Sequence, residues 1–234
     1  MTNFKINCRA SICINDNIYI DPFKLKESPQ NAKVILITHS HWDHLSIEDI
    51  KKVVNENTHF IAPQDCIDKL KEAGFELENQ TNYWAVGGKS FDKMYHDDKD
   101  LGYEIPNTNI RVLAFPSYNI DKQFHPKENA WVGYILTIDD VRYVIPGDSD
   151  VTPELEKIKC DVLFVPIGGR YTMNATEAAE LTNKIKPKLV VPTHYMFKAR
   201  DNGEIMGDKN TERMFVEKLD KGIEYKVVLN NMEE

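Results

Sequence analysis

Cysteine is scarce in this chain, and the four residues present, Cys8, Cys13, Cys66 and Cys160, form no C-x-x-C pair. A small thiol in strand-like sequence is ordinarily a buried hydrophobe, so reduced thiols and a cytoplasmic location are expected. Also missing is any apolar run close to the roughly eighteen residues that a membrane span needs, which excludes a transmembrane anchor. The first residues, Met1-Thr2-Asn3-Phe4-Lys5, lead into an alternating pattern rather than a charged segment, a hydrophobic region and a cleavage site. No secretory signal is therefore expected. Basic residues are outnumbered, with 29 Lys and Arg against 37 Asp and Glu for a net charge of -8. Nucleic-acid affinity rests on clustered Lys and Arg that displace counterions, so no nucleic-acid partner is expected. Neither a repeat nor a Gly/Ser linker marks a boundary, and the 234 residues read as a single domain over 1–234.

What the chain does have is concentrated in Thr38-His39-Ser40-His41-Trp42-Asp43-His44, where three imidazoles and a carboxylate follow a strand-like apolar run. Neutral imidazole and carboxylate suit zinc, and they also admit manganese, iron, cobalt or nickel. Neighbouring residues of a tight loop point in different directions. His39 and His41 can thus face one ion while Asp43 and His44 face a second, and one loop can found a site for two divalent ions. A histidine-rich polar turn is the bland alternative, and four such residues together argue against it.

This H-x-H-x-D-H motif resembles the signature of the metallo-β-lactamase-fold hydrolases. The rest of that pattern is met by Val144-Ile145-Pro146-Gly147-Asp148 and by Leu189-Val190-Val191-Pro192-Thr193-His194. The run from Tyr118 to Tyr134, with residues 166–173, looks like a branch of small members of that superfamily. The resemblance implies an αββα sandwich of two β-rich sheets flanked by helices. It also implies that His39, His41 and a third ligand hold one ion, that Asp43, His44 and His194 hold the other, and that Asp148 bridges. Asp43 would also orient or deprotonate the attacking water. The chain departs from the pattern at the third ligand, because Pro116-Ser117-Tyr118-Asn119 stands where a histidine is usual. His125 is the only imidazole between the strand near Ile110 and the Gly-Asp motif, and Asn119, offering a poorer amide oxygen, is its rival. His125 could instead act over the pocket as a proton donor.

The local signals fit an α/β chain. Asn15-Asp16-Asn17 suits a hairpin turn between strands at 10–14 and 18–21. The run 33–38 reads as a buried strand ending at the histidine loop, Ser46 as a cap for a helix to about Asn55, and 64–73 as a helix stopped by Gly74. Strands are expected at 60–62, 110–115, 131–138, 141–145, 161–165, up to Val191 and at 224–229, with helices from Asn174 to Ile185 and from Thr211 to Leu219. Gly168-Gly169 before Arg170 suggest close backbone approach, with Arg170 and Tyr171 as substrate contacts for an anionic group. A structural turn explains the glycines nearly as well. Trp42 and Tyr195 read as pocket or core, and His59 and His96 as surface histidines. The function implied is a metal-dependent hydrolase that cleaves a carboxylic ester, lactone or phosphoester in a small polar molecule. A non-catalytic metal-binding or regulatory protein is the rival from another class.

Overall fold

A computed structural model describes residues 3–78, 82–87 and 102–229. His96 lies outside them. The chain divides into two compact units, Met1–Gly88 and Lys89–Glu234.

The first unit carries a six-stranded sheet in simple sequence order, β1 (Phe4–Ile6), β2 (Ile12–Ile14), β3 (Ile18–Ile20), β4 (Val34–Leu36), β5 (His59–Pro63) and β6 (Tyr83–Val86). β1 to β3 pair antiparallel, and β3 to β6 pair parallel. The β2–β3 turn places Asn15 and Asp16 at positive φ, 51° and 60°, which these two residue types tolerate. Every residue of β4 is buried, as befits a strand inside a parallel sheet. Helices α1 (Ile47–Val53) and α2 (Gln64–Glu72) link the parallel strands and bury Ile50, Val53, Cys66, Ile67 and Leu70 against Ile35, Ile37 and Phe60. Ser46 caps α1 by accepting from the Asp49 amide. His59 opens β5 half-buried rather than on the surface, and burial lowers its pKa.

The second unit carries a seven-stranded sheet in the order β15-β12-β11-β10-β9-β8-β7. A meander of β7 (Tyr103–Glu104), β8 (Ile110–Pro116), β9 (Val132–Ile138) and β10 (Val141–Ile145) runs antiparallel. Parallel pairing then adds β11 (Val162–Pro166), β12 (Leu189–Thr193) and β15 (Glu224–Tyr225). Because β8, β10, β11 and β12 all point one way, the loops leaving their carboxyl ends gather at one edge of this sheet, where function is ordinarily built. In the first unit the same logic brings together the β1–β2 loop, the end of β3 and the end of β4.

Three segments differ from expectation. The last strand stops after Tyr225, its final ladder bond running from the Lys226 amide to the Val190 carbonyl. The next residue of β12 facing that side is Pro192, which has no N–H to donate, so the ladder ends there. A short hairpin, β13 (Phe197–Lys198) with β14 (Ile205–Met206), had no visible signal. Helix α4 (Lys209–Glu217) begins two residues earlier than expected because Asp208 caps it, accepting from the Asn210 and Thr211 amides.

Helix α3 (Ala175–Ile185) has the full capping box: Asn174 accepts from the Thr176 and Glu177 amides, and Glu177 accepts from the Asn174 amide. Replacing Asn174 with Ala should lower unfolding free energy by about 1 kcal/mol, read as an earlier midpoint in urea. An unchanged midpoint would show that the cap is dispensable.

Candidate metal centre

In the first unit the site is organised around a carboxylate that the sequence reading passed over. β3 pairs with β4 so that Ile20 lies opposite Leu36, and Asp21, one residue on, reaches the start of the histidine loop. Its carboxylate is fully buried. It accepts from the Thr38 amide at 2.8 Å, the Thr38 hydroxyl at 2.6 Å and His44 Nδ1 at 2.7 Å. Burial pushes the Asp21 carboxyl above its ordinary range, against the pull of His44 and the Thr38 donors.

These bonds set the tautomers. His44 must carry its proton on Nδ1 to donate to Asp21, which leaves Nε2 as its lone-pair nitrogen. With the Thr38 hydroxyl proton given to Asp21, Thr38 Oγ1 accepts from His39 Nδ1 at 2.9 Å, and His39 likewise presents Nε2. The two rings lie 3.9 Å apart between centroids. His39 Nε2 and His41 Nδ1 approach to 2.9 Å. Two nitrogens on a tetrahedral zinc, each 2.0–2.1 Å from the ion, stand about 3.3 Å apart, so a small opening of this pair fits the ion. Ligand atoms of His39 and His44 lie within 4.8 Å of one another, as do those of Asp43 and His44. Asp43 is buried and its Oδ2 receives Arg9 Nη1 at 2.6 Å.

In the second unit β10 leads through Gly147, at φ 67°, to Asp148, and β12 leads to His194. His194 Nε2 stands 3.2 Å from Asp148 Oδ1. His194 holds a left-handed backbone, φ 52°, uncommon for residues other than glycine, and its ring packs edge-on to Phe197. Gly168 explains how it stays there. A Cβ on Gly168 would lie 2.4 Å from the His194 carbonyl oxygen, so only glycine allows this approach.

The loop after β8 buries both third-ligand rivals. His125 is fully buried with its ring edge-on to Trp131, centroids 4.6 Å apart. The Asn119 amide donates to the His125 carbonyl, and its side-chain Nδ2 donates to the Tyr171 carbonyl. Asn119 Oδ1 is buried without a hydrogen-bond partner among the described residues. Asp150, which accepts from the Ile120 amide and from Lys122, pins this loop.

Arg170 pairs with Glu204 at 2.8 Å and Asp201 at 2.5 Å, and Tyr171 donates to Asp201 at 3.2 Å. Its guanidinium charge is thus matched by two acids of the turn between β13 and β14. Trp42 is partly exposed and Tyr195 is buried.

The donor set suits a divalent ion. Asp21→Asn keeps the shape but weakens acceptance from His44, and should lower zinc affinity about 10- to 100-fold, read by competition with a chromophoric chelator. Parental affinity would show that Asp21 is only a folding element.

Comparison with known proteins shows the family. A family model described as beta-lactamase superfamily domain matches residues 9–194. A UPF0173 metal-dependent hydrolase of Pyrococcus horikoshii is 30% identical over 201 residues, covering 76% of each chain. Among solved structures, a chain from Parabacteroides distasonis superimposes with a TM-score of 0.73 at 24% identity, over 98% of this chain and 94% of that one. Igni18, a metallo hydrolase from Ignicoccus hospitalis, gives 0.67 at 19% identity, over 100% and 96%. These structural likenesses show a shared fold. Among the described residues no helix is long and apolar enough to cross a membrane. With its family model matched from Arg9 to His194, the chain belongs to the beta-lactamase superfamily.

Proposed function

We propose that this superfamily member is a metal-dependent hydrolase that uses two divalent ions, zinc first among them, to cleave an ester-like bond in a small polar molecule. The observation that carries the reading is the Asp21–Thr38 relay, which fixes both His39 and His44 with Nε2 as the lone-pair nitrogen. A surface turn has no need of a buried carboxylate to choose its tautomers.

In this reading His39 and His41 hold one ion with His125 or Asn119. Asp43, His44 and His194 would hold the other, and by the family resemblance Asp148 would be shared between them. Bound ions supply Lewis acidity and make water acidic enough to ionise near neutral pH. Asp43, besides holding an ion, would orient the attacking water. In this reading Tyr171 and Arg170 would contact the substrate, with the Arg170 charge already matched by Asp201 and Glu204. That balance favours an uncharged carboxylic ester or lactone over a phosphoester.

Elemental analysis of the purified chain should find close to two divalent ions, and one or fewer at saturating metal would overturn the two-ion reading. The metal-loaded protein should hydrolyse a member of a lactone, carboxylic ester and phosphodiester panel. In Asp43→Asn that turnover should fall about 100-fold or more, while thermal melting shifts far less than on global unfolding. Parental turnover in this variant would remove Asp43 from the chemistry. No turnover of any substrate by loaded protein would favour a metal-binding role without catalysis.

A further inference from the structure

Arg9 is a buried cation, 6% exposed, at a position that the ligand motif does not include. Its Nη1 donates to Asp43 Oδ2 at 2.6 Å. The guanidinium carbon stands 4.7 Å from the Trp42 ring centroid and 5.6 Å from that of Phe23, and these two rings meet edge to face at 5.2 Å. The backbone around it is made for this placement. Arg9 sits at φ 45°, in the left-handed region, which a residue with a long side chain adopts only when its surroundings hold it there. Asn7 Nδ2 donates to the Phe23 carbonyl at 2.5 Å and the Lys24 carbonyl at 2.8 Å, and the Phe23 amide donates to Ser11 Oγ at 3.0 Å. The β1–β2 loop and the segment after β3 are thereby tied into one cradle for the guanidinium.

We propose that Arg9 is a positioning residue for Asp43, a role that rests on the reading of Asp43 as a metal ligand. A guanidinium only donates and stays charged at any working pH, so it cannot compete as a ligand. By engaging Oδ2 it holds the carboxylate in one rotamer and directs Asp43 to offer an ion a single oxygen. The ion is then met by a carboxylate already oriented, rather than by one that must be ordered on binding or that closes on the metal with both oxygens. Aromatic faces on Trp42 and Phe23 keep the guanidinium itself from wandering.

Zinc titration of the full chain, read by isothermal calorimetry or chelator competition, tests this with Arg9→Met, Arg9→Lys, Asp43→Asn and the Arg9→Met/Asp43→Asn pair. Arg9→Met should lower the affinity of one ion about 10- to 100-fold and leave the other near parental. Arg9→Lys keeps the charge without the planar fork, and should recover part of that loss. In the Asp43→Asn background Arg9→Met should change nothing further. If Asp43→Asn itself leaves both affinities intact, the ligand reading of Asp43 fails. If Asp43→Asn loses an ion while Arg9→Met and Arg9→Lys both bind like the parent, the Arg9 proposal alone fails. An equal loss from Arg9→Met in both backgrounds also overturns it, because Arg9 would then act through the loop and not through Asp43. Should Arg9→Met not fold, Arg9→Lys decides: a measurable loss of one ion's affinity supports the proposal, and parental binding overturns it.

Discussion

A carboxylate buried away from all solvent keeps its place only if donors surround it, and Asp21 is met by the Thr38 amide, the Thr38 hydroxyl and the His44 ring. An unpaired buried charge costs several kcal/mol, about 3–5 when one partner of a pair is removed, so these donors are not interchangeable with water. The register of β3 on β4 follows from the same requirement, because a slip of one residue would carry Asp21 away from Thr38 and turn every buried side chain of β4 to the other face. The orientation of two imidazoles depends on that one acid.

The rest of the candidate site is held by backbone that the chain would not adopt by itself. Positive φ at Asn15, Asp16, Asn107, Asp139 and Asp140 marks ordinary turns, where Asn and Asp bond locally and tolerate the left-handed region. Arg9, His194 and Met196 are a different case. Their side chains gain nothing local from this conformation, and it is kept by specific neighbours such as Gly168 against the His194 carbonyl. Strain of this sort tends to gather at functional loops; Arg9, His194 and Met196 lie on or beside the residues read as ligands, while Lys24, Gln30, Ala130 and Lys186 hold positive φ elsewhere.

Much of this was legible in the sequence. The H-x-H-x-D-H run stands out because its four polar side chains are written within six residues of one loop, and the Gly-Asp turn and the histidine after β12 were reached through the family resemblance. The caps at Ser46 and Asn174 are equally local, and both helices start where those residues direct. Asp21 and Arg9 were missed because their partners lie 17 to 34 residues away. Asp21-Pro22 reads as the end of a strand, and only the pairing of Ile20 with Leu36 shows where the carboxylate goes. The early end of β15 had a visible cause in Pro192, yet only the strand order tells which neighbour would miss its N–H. Arg170 was read from its charge and from the glycines before it, and the acids that match it come from a hairpin with no periodic signal.

The proposed two-ion site divides the histidine loop between His39 with His41 and Asp43 with His44. Anomalous diffraction at the zinc edge from crystals of metal-loaded protein tests it most directly. Two peaks are expected, one about 2.1 Å from His39 Nε2 and His41 Nδ1 and the other about 2.1 Å from His44 Nε2 and an Asp43 oxygen. A single peak, or zinc bound away from these imidazoles, would contradict it.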